Sequence, residues 1–138
     1  MTIFTNREGD MKKSILSIIS QGLTYAVAEC HQRAVDGGWW TDLTTGERKE
    51  CNKGELLCLI HSEISEAMEG ERKNLMDDKL PHRKMAEVEL ADALIRIFDY
   101  AGAYNYDLAA AVIEKLEYNA KRDDHKIENR IKSDGKKF

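Results

Sequence analysis

The chain has 138 residues, 42% of them hydrophobic and 33% charged, with a formal net charge of −4 and a pI near 5.6. That length predicts one domain with its own core, and the acidic balance argues against a protein whose main task is gripping a nucleic-acid backbone. No apolar run approaches the roughly 20 residues that span a bilayer, Met1–Lys13 carries no signal-peptide core, and the three cysteines form no CxxC pair, so the expectation is a cytoplasmic protein with reduced thiols, bound neither to membrane nor to nucleic acid.

Glycine is sparse and Pro81 is the single proline, so the chain is easy to divide. A first helix is predicted from about Met11 to Val35, with Ile15, Ile18, Ile19, Leu23 and Val27 along one side; Asp36-Gly37-Gly38 stops it. A loop rich in Thr, Asp and Gly follows, from Trp39 to Cys51. Asn52 then caps a second helix, with Glu55 three places on, running to about Lys73. Asn74–Pro81 reads as a connector, with Pro81 placed to begin a third helix from His82 to Tyr104. After a turn at Gly102–Tyr106, Asp107 caps a fourth helix from Leu108 to about Arg122. Residues 1–10 and 124–138 read as tails or arms. The prediction is an all-α, antiparallel four-helix bundle-like domain over 1–138.

Acidic residues crowd Glu63–Asp92, whereas Lys and Arg return in Lys115–Lys137. Carboxylates three apart on a helix share a face: Glu63 and Glu66 do so on the second helix, Glu89 and Asp92 on the third. The expected apolar stripes are Leu56, Ile60, Ile64 and Ala67, and Val88, Ala91, Ile95 and Phe98. Glu63 and Asp92 fall at their edges, where a purely solvated acid would sit opposite. Four such carboxylates repel one another unless cations neutralise them, and hard oxygen ligands select Mg²⁺ or Mn²⁺. A di-iron bundle would need Glu-x-x-His on two helices, and no His stands at that offset. Glu69 drifts towards solvent, and Asp92, Arg96 and Asp99 read as an ion-pair ladder. His61 reads as structural.

The run Leu59-Ile60-His61-Ser62-Glu63-Ile64-Ser65-Glu66-Ala67-Met68-Glu69, followed by Glu89-Leu90-Ala91-Asp92-Ala93-Leu94, resembles the MazG-like family of all-α nucleoside triphosphate pyrophosphohydrolases, whose pattern is (E)ExxE, a spacer and ExxD. The likeness extends to Gly38-Trp39-Trp40, to Lys115-x-x-Tyr118-Asn119-x-x-Arg122 and to Gly135-Lys136-Lys137-Phe138. It implies a homodimer or homotetramer that cleaves a (deoxy)nucleoside triphosphate between its α- and β-phosphates with Mg²⁺ or Mn²⁺, in nucleotide pool control or cleansing. Glu63, Glu66, Glu89 and Asp92 match the metal ligands. Ser62 stands where many members carry the first Glu of EExxE, and Arg33 where an Asn is expected.

On that reading Glu63 or Glu66 also orients or deprotonates the attacking water. Lys115, Asn119 and Arg122 share one face of the fourth helix and would contact phosphate, against the alternative of ordinary surface charge. Trp40, rather than Trp39, would stack on the base, against the alternative that both plug the end of the bundle. The competing readings are a non-catalytic helical oligomerisation module, and a relative acting on dUTP, dCTP or phosphoribosyl-ATP.

Overall fold

A computed structural model of the protein describes the backbone of residues 4–138 and the side chains of residues 7–138. Its regular elements are helices: α1 (Phe4–Asp36), α2 (Lys53–Lys73), α3 (Met85–Ala103), α4 (Leu108–Lys121) and the single turn α5 (Ile127–Arg130), with a 3₁₀ turn at Asp123–His125. The only β pairing among the described residues is two isolated bridges, Thr41 with Arg48 and Met76 with Lys84. The chain is therefore all-α. No described helix is long and apolar enough to cross a membrane.

Capping sets α2 and α4 where the sequence places them. The Asn52 side chain accepts the N–H groups of Gly54 at 2.8 Å and Glu55 at 3.3 Å, meeting two of the donors that a helix start leaves unpaired. Asn74, at φ 50, ends α2 in the left-handed conformation that asparagine tolerates. Asp107 accepts the N–H of Ala110 at 3.0 Å and opens α4.

Three boundaries differ from expectation. Helix α1 begins at Phe4, not Met11: 4–10 hold no proline, and Gly9 weakens a helix by only about 1 kcal/mol without ending it; residues 1–3 of the expected tail lie outside the described residues. Helix α3 begins at Met85, not His82, because the backbone before it is committed to the connector. Arg83 N–H bonds Leu80 O, Asp77 N–H bonds Arg83 O, and Met85 N–H bonds Leu75 O. Pro81 thus sits in a turn rather than at a helix start. Part of the expected tail of 124–138 is instead wound into the 3₁₀ turn Asp123–His125 and α5, Ile127–Arg130.

The described residues form two compact units, one of residues 25–106 and one combining the chain up to residue 24 with residues 107–138. In the first, α2 and α3 are antiparallel: Gly70 lies against Met85 and Ala86, while Glu63 meets Arg96. Of the expected stripes only Ala67 is fully buried, while Leu56, Ile60, Val88 and Phe98 are half-buried. The buried residues of the seam are Glu63, Ala67 and Gly70 on α2 and Ala86, Glu89 and Ala93 on α3, whereas Ile64 and Ile95 are about half-exposed. At Gly70 an added Cβ would lie 3.0 Å from Met85 Cβ and from the Ala86 nitrogen. That close approach pushes the bulky residues to the flanks and leaves small residues and glutamates between the helices. The end of α1 joins this unit through His31, whose ring fills the space a Cβ at Gly102 would take, 2.5 Å from His31 Cβ. In the second unit, Asp123–His125 and α5 follow directly on α4.

Candidate metal centre

The four acids that match the family pattern all belong to the α2–α3 unit. One oxygen each from Glu63, Glu89 and Asp92 lie within 4.8 Å of one another. Glu66 lines the same cleft, of about 370 Å³, together with Asp77, Lys79 and Arg96. Glu63 and Glu89 are only 7% and 9% exposed, while Glu66 and Asp92 stand at the open rim. Glu63 is thus further inside the seam than its expected place at the edge of a stripe.

Buried carboxylates need partners, and the two inner ones differ in this. Arg96 Nε donates to Glu63 Oε1 at 2.6 Å. The expected Asp92–Arg96–Asp99 ladder is not formed: Arg96 reaches across to α2, where the desolvated Glu63 attracts it more than rim-exposed Asp92 can. Asp99 instead accepts from Trp40 Nε1 at 2.9 Å and contacts His31 Nδ1 at 2.8 Å. Glu89 has no cation or N–H donor among the described residues. Burial, then the charge of Glu66, a hydrogen bond with Glu63, and the charges of Glu63 and Asp92 push its carboxyl up to about 7. Each cause is a reason for this group to resist ionisation in the bare chain.

This donor set fits a hard divalent cation. One oxygen from each of the three already lies within 4.8 Å of the other two, so side-chain adjustments of about an ångström would bring all three onto one small hard cation. A cation also removes the repulsion that raises Glu89. Carboxylate oxygens without His or Cys favour Mg²⁺ or Mn²⁺ over zinc or copper.

The other expected residues are placed differently. Trp40 is 6% exposed, its ring met edge-on by His31 and Tyr104 at centroid distances of 5.7 and 5.9 Å. It packs where α1, the loop and α3 meet, whereas Trp39, which the plugging alternative would bury with it, is 75% exposed. Lys115, Asn119 and Arg122 lie on or at the end of α4, in the other unit. There Lys115 and Arg122 approach the Tyr118 ring at 4.7 and 5.9 Å, and Arg122 is held by both oxygens of Asp124 at 2.9 and 2.7 Å. Asn119 Oδ1 is buried without a partner among the described residues. Glu69 pairs with Arg72 and Lys73 at the surface, as expected. Ser62 Oγ donates to Leu59 O of its own helix, and Arg33 pairs with Glu29.

Two charged residues of the cleft were not singled out in the sequence, Asp77 and Lys79. Asp77, 6% exposed, accepts the N–H groups of Lys79 at 3.0 Å and Leu80 at 2.6 Å. The signal available was the Asp-x-x-x-Pro run of the connector, since an aspartate commonly ties down the backbone two and three residues on. No family model matches the chain, and no curated protein or solved structure matches it either.

Proposed function

We propose that this chain is a MazG-like nucleoside triphosphate pyrophosphohydrolase, using Mg²⁺ or Mn²⁺ to hydrolyse a (deoxy)nucleoside triphosphate to the monophosphate and pyrophosphate, in nucleotide pool control or cleansing. The observation that carries the reading is Glu89. A carboxyl that is 9% exposed, faces three other acids and has no cationic partner among the described residues is costly in the bare chain and is relieved by a divalent ion.

When bound, the ion supplies neutralisation of the phosphate oxygens and a more acidic water. Glu63, Glu89 and Asp92 would hold it from two helices, with Arg96 fixing the orientation of Glu63. Glu66 forms no ion pair among the described residues and stands at the rim, which suits it to take the proton of the water that attacks phosphorus. The pyrophosphate leaves as the P–O bond opposite that water breaks.

Self-association as a homodimer or homotetramer, completing a four-helix bundle, is part of the same proposal. Leu57, Ile64 and Met68 on α2 and Leu90 and Leu94 on α3 are about half-exposed, more apolar surface than helices of a lone domain usually leave in water. The same exposure is what a purely oligomerising helical module would need, so activity separates the two readings. The test is pyrophosphate release with Mg²⁺ from a panel of NTPs and dNTPs, including dUTP and dCTP, and from phosphoribosyl-ATP, with products resolved by chromatography. Release from at least one, lost in Glu63→Gln, is expected. No release from any substrate, with Glu63→Gln indistinguishable from wild type, rejects the enzyme in favour of the module.

A further inference from the structure

We infer that Lys79 is the phosphate-contacting cation of the cleft, a role the sequence assigns to α4; this rests on the reading of the cleft as a metal–polyphosphate site. Five carboxylates line the cleft, those of Glu63, Glu66, Asp77, Glu89 and Asp92, against two cations, Lys79 and Arg96. A nucleoside triphosphate brings about four further negative charges of its own. Divalent ions held by the carboxylates offset part of that sum, and a cation of the protein is needed at the non-bridging oxygens that the ions do not reach.

Arg96 donates its Nε to Glu63 at 2.6 Å, which sets its charge against that carboxylate first. Arg122 is committed to both oxygens of Asp124. Lys79 makes no ion pair among the described residues, and its side chain is exposed at the cleft wall. Its backbone is fixed by a device independent of the acids that would bind metal. The buried Asp77 carboxylate accepts the Lys79 and Leu80 N–H groups, and the connector closes on itself through Asp77 N–H to Arg83 O and the bridge of Met76 with Lys84. The Lys79 and Leu80 bonds both fall on Asp77 Oδ1, so that oxygen serves the turn. The arrangement is a tethered backbone carrying an exposed ammonium. A lysine is suited to this, since it acts as a point charge that adapts to a phosphate tail of variable position.

The experiment titrates inorganic tripolyphosphate, which carries no base or sugar, into the full chain at saturating Mn²⁺, after Mn²⁺ alone has been titrated. Calorimetry reads both steps for wild type, Lys79→Gln and Lys79→Arg. Expected are unchanged Mn²⁺ binding in all three, tripolyphosphate binding at least tenfold weaker in Lys79→Gln, and recovery to within about threefold of wild type in Lys79→Arg. Tripolyphosphate binding unchanged in Lys79→Gln, or absent from Mn²⁺-loaded wild type, overturns the role of Lys79 while leaving the metal site standing. Failure of wild type to take Mn²⁺ overturns both.

Discussion

Glu89→Gln keeps the size of a buried side chain and removes its ability to ionise. In the chain without metal the Glu89 carboxyl lies at about 7, against an ordinary value of 4.5, with burial the largest cause and Glu66 the next. The difference of about 2.5 pKa units, at about 1.4 kcal/mol each, makes ionising Glu89 about 3 kcal/mol harder in the folded chain than in the unfolded one. Below pH 4.5 both states hold the proton and nothing is lost. Between 4.5 and 7 the unfolded chain releases it first, so stability falls as pH rises; above 7 the whole penalty is present. Wild type in EDTA is therefore expected to lose about 3 kcal/mol from this group across that window, and Glu89→Gln to lack that part of the slope. At roughly 3 °C per kcal/mol for a chain of this size, the variant melts about 10 °C above wild type at pH 8 and close to it at pH 4.5. Thermal melts followed by circular dichroism in EDTA measure this. Parallel pH profiles for the two proteins would refute the account of Glu89. Mg²⁺ at a hundredfold excess over its dissociation constant should restore about 2.7 kcal/mol to wild type.

Glu66→Ala and Asp92→Ala should each lower pyrophosphate release by at least about 10²-fold with helicity unchanged at 222 nm; turnover retained in either breaks the assignment of that residue. Arg96→Ala leaves the buried carboxylate of Glu63 without its cation, at a cost of about 1–3 kcal/mol in EDTA at pH 8, and Mg²⁺ should shrink the loss. An equal loss with and without Mg²⁺ would mean that Arg96 does not act through the carboxylate cluster. Gly102→Ala sets a methyl 2.5 Å from His31 Cβ and should cost about 1–3 kcal/mol by overpacking; a chain that melts like wild type would show that α1 is not seated on α3 through His31.

What could be read from the sequence was mostly local. Asn52 and Asp107 cap their helices where a short polar side chain precedes a periodic run, and Gly37-Gly38 ends α1, because caps and breakers act over two or three residues. The three-residue spacing of Glu63/Glu66 and Glu89/Asp92 likewise puts them on the side of each helix that meets the cleft. The facing of the helices was not legible. Periodicity pointed to Ile64 and Ile95 as core, but Gly70, Ala67 and Ala93 let α2 and α3 approach so closely that the seam takes small residues and the glutamates. Nor could spacing choose the partner of Arg96: Asp92 is four residues away along the helix, but Glu63, 33 residues away in sequence, is the carboxylate that burial leaves in need. Lys79 escaped notice because its place depends on a turn whose anchor, Asp77, acts through backbone hydrogen bonds.

The seam of α2 and α3 has a consequence for how such a chain ages in use. Where two helices meet through alanine, glycine and glutamate, with Leu56, Ile60, Met85 and Val88 only half-buried beside them, little fully buried aliphatic surface holds them together. On the proposed reading the divalent ion adds to that hold, so the reagent of the reaction is also the mortar of the fold. Inhibiting such a protein by withdrawing its ion would then also loosen it, and copies starved of metal would be the ones a protease reaches first. Quality control and catalytic readiness would be read from the same four acids.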